Sequence, residues 1–64
     1  MITVKQLREI AEDCWFEIIE CQEGAPFKSL FMEDSNNSVL SSKYANCKVD
    51  WFAPSDDYIL IVAI

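Results

Sequence analysis

The side chains able to do chemistry in this 64-residue chain are mostly carboxylates, and six of them, Glu9, Glu12, Asp13, Glu17, Glu20 and Glu23, fall in a fifteen-residue window with no Lys or Arg. Outside that window five acids offset the five bases, so the net charge of −6 resides in one segment. Adjacent acids also occur as Glu12-Asp13, Glu33-Asp34 and Asp56-Asp57. Glycoside hydrolysis would need such groups held across a cleft, and a chain this short has little material to build one. At a helix end and in turns, their expected roles are solubility and capping. The chain has no histidine, which excludes Ser-His-Asp and Cys-His nucleophilic arrangements. Its single glycine excludes a Gly-rich phosphate loop.

Metal chemistry fares no better. Cys14 and Cys21 have no histidine to complete a zinc site. Asp34-Ser35-Asn36-Asn37-Ser38 opens like a calcium loop, but Val39 stands where glycine is needed and Ala45 where the bidentate glutamate belongs. The expectation is no catalytic residue, no metal, no cofactor and no enzymatic activity. Three cysteines at irregular spacing, Cys14, Cys21 and Cys47, do not make a disulfide framework and are read as small buried hydrophobes.

The charge also sorts partners. Nucleic acid and anionic membrane surfaces both select Lys and Arg, so an acidic chain is not expected to bind either directly. A partner with a basic surface fits, although acids that merely keep a small apolar domain soluble would suffice. The opening residues have no apolar core of signal-peptide length, and the longest apolar run, Ile59 to Ile64, is too short for a membrane span. A cytoplasmic location is expected.

Elements must position these groups. Thr3 with Gln6 forms a capping box, Ile2 and Leu7 suit a hydrophobic staple, and Val4, Leu7, Ile10, Ala11 and Cys14 recur at helical spacing. The pattern predicts a helix over 3–13, with Lys5–Glu9 and Arg8–Glu12 pairs on its wet side. Trp15 to Cys21 reads as a first strand, Gln22 to Pro26 as a turn with Gly24 at positive φ, and Phe27 to Glu33 as an antiparallel second strand. Asp34 to Ser38 is a polar loop pinned by Val39 and Leu40, with a turn over 41–45. Cys47 to Phe52 is the third strand, Ala53 to Asp57 a turn, and Tyr58 to Ile64 the fourth strand. The expected fold class is α+β, one domain over 1–64, with the N-terminal helix packed on a curled, mainly antiparallel four-stranded sheet in the order α-β-β-β-β.

The fourth strand is apolar throughout, so both of its faces call for burial. One helix covers one face. Either the sheet curls and its loops close the other side, or that side packs on a second copy through Trp51, Tyr58, Leu60, Ile61 and Val62. At this size only about 60% of the unfolded chain's surface is buried, which leaves little interior for two tryptophans and favours the homodimer over a core that they merely complete.

The opening Met1-Ile2-Thr3-Val4-Lys5-Gln6-Leu7, the exit Glu12-Asp13, the strand Glu17-Ile18-Ile19-Glu20 and the terminal Asp57-Tyr58-Ile59-Leu60-Ile61-Val62 resemble short accessory proteins of phages and mobile elements of Gram-positive bacteria. The resemblance implies a class of role, binding and blocking a host protein such as a defence nuclease, and transfers no site residue. The expected binding surface joins Glu9, Glu12 and Asp13 on the helix to Glu17, flanked by Trp15 and Ile19, on the first strand. A small homodimeric structural protein is the alternative.

Overall fold

The computed structural model describes residues 2–20 and 27–64. Its elements are a helix α1 (Val4–Ile10), strands β1 (Trp15–Glu20) and β2 (Lys28–Met32), a 3₁₀ turn (Val39–Ser41), and strands β3 (Trp51–Asp56) and β4 (Ile59–Ala63). The expected turn over 22–26, the φ of Gly24, Cys21 and Glu23 lie outside the described residues.

Thr3 caps the helix as its sequence requires. Its hydroxyl accepts from the Gln6 N–H, while the Gln6 side chain accepts from the Thr3 N–H. The Val4 and Lys5 N–H groups donate to the carbonyls of Cys47 and Ala45, both at 2.9 Å, so the first turn is satisfied by the segment before β3. The helix stops at Ile10, well short of residue 13. Glu12 and Asp13 would lie at the negative end of its dipole, and Arg8 in the last turn donates through Nη1 to the Ala11 carbonyl at 3.0 Å. Ile10, expected on the apolar stripe, is 75% exposed; it falls about a quarter turn away from the line of Val4, Leu7 and Ala11.

The four strands form one open sheet in the order β2-β1-β4-β3. Its outer pairs are antiparallel and its central pair, β1 with β4, is parallel. The sheet is therefore mixed. β3 also begins later than expected and runs through Pro54, which an edge strand tolerates because a missing N–H there costs no ladder bond when it faces outward. The turn contracts to Asp57 and Tyr58.

Alternation along β1 sets the two faces. Phe16 and Ile18 are fully buried with Val4, Leu7, Val39, Val49 and Val62, and this cluster is the core beneath the helix. Trp15, Glu17 and Ile19 point to the opposite face. So do their register partners Ile59, Ile61 and Ala63 on β4, and Met32 beside Glu17 on β2.

Candidate functional site

The face turned away from the helix carries exposed large side chains on β1 and β2. Trp15 is 40% exposed and Met32 41%, while Ile59 and Ile61 are half-buried. Ile19 and Ala63 lie on this same face yet are buried. Phe27, just before β2, and Trp51, on β3, lie at that end from opposite edges of the sheet, and their rings meet at 5.8 Å with a tilt of 59°. This tilted pair roofs the Ile19–Ala63 end of the face. The other end, from Trp15 and Ile59 to Glu17 and Ile61, stays open.

Glu17 stands in the middle of the open end, between Met32 on one side and Ile61 on the other. Asp56, opposite Ile59, adds a second acid at the rim. None of the described strand residues on this face is Lys or Arg, and among the described residues the one ion pair is Arg8–Glu33. The result is an apolar surface with a negative centre.

The structure divides the residues expected to act as one acidic surface. Glu9 is exposed on the helix and Glu12 and Asp13 in the turn that joins the helix to β1, while Glu17 and Trp15 belong to the face away from the helix. Ile19 is held beneath the aromatic roof. The expected dimer residues divide as well, because neighbours in a strand face opposite ways. Ile61 and Trp51 are on the open face, but Val62 is fully buried in the core and Leu60 packs against it. Val62 has no surface to offer a second copy, whereas Leu60, half-buried like Ile61, lies on the helix side. Tyr58 is exposed in the β3–β4 turn, where its carbonyl accepts from the Trp15 N–H at 2.6 Å.

A second cluster was not foreseen. Glu33, expected to serve solubility or capping beside Asp34, is 2% exposed. Arg8 Nε donates to both of its oxygens, at 2.9 and 3.3 Å, instead of pairing with Glu12. The Phe16 N–H donates to Glu33 Oε1 at 3.3 Å and the Val39 N–H to Oε2 at 2.8 Å. The Arg8 guanidinium also lies 5.5 Å from the Phe16 ring centroid. One carboxylate thus joins helix, β1 and the 3₁₀ turn. Its donors are all within the protein, which suits organising the core and leaves no lone pair aimed at a ligand.

A concavity of about 310 Å³ lies between the Asp34–Ser38 turn, Ser41 and Ser42, above Phe31. Its lining includes none of Trp15, Trp51 and Tyr58. Among the described residues no group of three or more His, Cys, Asp or Glu gathers to hold a metal. The Asp34 carboxyl is held below its usual range, first by the Asn36 N–H and then by the Asn37 side chain and N–H. Its folded value is lowered, so this contribution to stability is present above the ordinary aspartate pKa and fades as pH falls through the folded value. Asp34→Asn is therefore expected to be less stable than the parent at pH 6, with the gap closing toward strongly acid pH in thermal unfolding. A gap constant over that range would rule the charge out.

Cys14 and Cys47 are free and half-buried. Burial pushes the Cys14 thiol up, with Arg8 opposing and Glu33 and Asp13 reinforcing, so the group is a poor nucleophile at neutral pH. No helix among the described residues is long and apolar enough to cross a membrane. Compared with known proteins, the chain matches no protein-family model, no curated protein and no solved structure.

Proposed function

We propose that the chain is a non-enzymatic protein-binding module that captures a protein with a basic, partly apolar surface. In the manner of the phage and mobile-element proteins it resembles, it would act in the cytoplasm by blocking a host protein such as a defence nuclease. The observation that carries this reading is Glu17 set among Trp15, Met32 and Ile61 on an open sheet face without a described Lys or Arg strand residue. Apolar side chains supply the hold, and the acid steers the encounter and rejects acidic competitors. The register shifts at Ile18/Ile19 and Pro54/Asp56 would add the local twist that a curled sheet needs.

The homodimer alternative draws on the same exposed residues. Stacking two copies of this face leaves Glu17 and Asp56 without a counter-charge, because none of the described strand residues facing that way is a base. A basic partner satisfies both. Calorimetric titration of a basic host nuclease at low and high salt tests the proposal. Affinity is expected to fall with salt, to fall on the order of tenfold or more in Glu17→Lys, and to change little in Glu9→Lys. Salt-independent binding, or a tight dimer of the chain alone in sedimentation, overturns it.

A further inference from the structure

The open face also says what shape of segment would fill it, an inference that rests on the protein-binding reading above. We infer that the occupant is a short amphipathic helix of the partner, with a Lys or Arg placed among its apolar residues to meet Glu17.

The first support is topological. Sheets that are parallel throughout are covered on both faces, characteristically by helices, and their strands are apolar on both sides, as β4 is here. The central pair of this sheet, β1 with β4, is parallel, and α1 lies over one face only. On the other face β4 presents Ile59 and Ile61, both half-buried, before Ala63 passes under the roof. A second helical layer is what this centre lacks among the described residues.

The second support is the poor fit of the other common mode, addition of a partner strand to a sheet edge. The β3 edge carries Pro54 and a register shift, and β2 has a shift opposite Ile18/Ile19. Both features discourage pairing with an incoming strand.

The dimensions agree with a helix. Four strands spaced about 4.8 Å apart span about 14 Å, the length of two to three helical turns. Phe27 and Trp51 close one end of the open area, so a helix crossing the strands would lie beside them, over Trp15, Glu17, Ile59 and Ile61. At that position Glu17 faces the middle of the helix and Asp56 its flank. A single cation flanked by apolar side chains at i, i+3 or i+4 matches this arrangement.

Three synthetic peptides test the inference: a Leu/Lys amphipathic helix, its Leu/Glu counterpart, and the Leu/Lys sequence with a central proline. Binding is read from tryptophan fluorescence, and location from the NMR shifts of the Trp15 and Trp51 indole N–H groups. Saturable binding of the Leu/Lys helix is expected, weakened on the order of tenfold by Glu17→Gln, by Ile61→Asp and by the central proline. The Leu/Glu peptide should not bind, and Glu9→Gln/Glu12→Gln should leave affinity unchanged. Equal binding of the proline peptide overturns the helical occupant. Weakening only by the Glu9/Glu12 substitutions overturns the site while leaving a protein-binding role intact. If a basic nuclease is captured but no peptide binds, the helix is wrong and the function stands; if neither binds, both fail.

Discussion

Glu33→Ala is expected to unfold much or all of the protein under conditions where the parent is native. The side chain is the only buried charged one among the described residues. Removing it breaks the ion pair with Arg8 and orphans the N–H groups of Phe16 and Val39. Breaking a buried pair from one side costs about 3–5 kcal/mol, and each buried donor left unsatisfied adds about 1–3 kcal/mol. A chain of this length has a total stability of about 3–10 kcal/mol at the usual value per residue. The loss is of the same size as the whole.

Companion variants separate the contributions. Arg8→Met leaves the buried Glu33 carboxylate without its counter-charge and should also destabilise by about 3–5 kcal/mol, but it orphans no backbone donor, because Glu33 still accepts from Phe16, Val39 and the Ser38 hydroxyl at 3.5 Å. Arg8→Met/Glu33→Leu should recover part of the Glu33→Ala loss, since an apolar pair can stand in for a buried ion pair but cannot accept from Phe16 and Val39. Urea unfolding followed by circular dichroism measures all three. A Glu33→Ala cost below about 1 kcal/mol, the net worth of one ordinary hydrogen bond, would remove this carboxylate from its organising place.

Local signals in the sequence were strong where one stretch of chain decides the outcome. Thr3 and Gln6 announce the helix start, and the β1–β2 hairpin follows from two apolar runs joined by turn residues. What escaped depends on residues far apart in the chain. Arg8 and Glu33 are twenty-five positions apart, and each had a nearer explanation, a helix-surface pair for one and a turn for the other. The roof of Phe27 on Trp51 exists only because β1 and β4 pair side by side, which brings the two edge strands to flank them. Periodicity also cannot say which of two apolar faces meets the helix. In β4 every position is apolar, so Leu60 and Val62 were indistinguishable from Ile61 until the parallel register with Phe16 and Ile18 assigned them to the core. The same rule of alternation bears on the acidic segment: Glu9 sits on a helix laid over one face, Glu17 on the reverse of β1, and Glu12 and Asp13 in the turn between them.

Val62→Asp and Ile61→Asp should therefore have opposite outcomes although the residues are adjacent. Val62 is fully buried against Val4, Leu7 and Phe16. An aspartate there has no cation to pair with, and a buried charge without a partner costs several kcal/mol, enough to abolish the native state. Ile61 is only half-buried on the open face. Its replacement forfeits part of an isoleucine's transfer energy, about 1 kcal/mol for half burial. It also places an acid directly across from Glu17, a like-charge contact worth about 0.2–1 kcal/mol. The variant should fold with a lowered midpoint and an unchanged urea slope. Circular dichroism against urea separates the two cases, and two unfolded variants or two native ones would show that the faces of β4 are not divided as the register requires. Because Ile61→Asp keeps the fold while Val62→Asp does not, a loss of partner binding in the first reports on the open face itself.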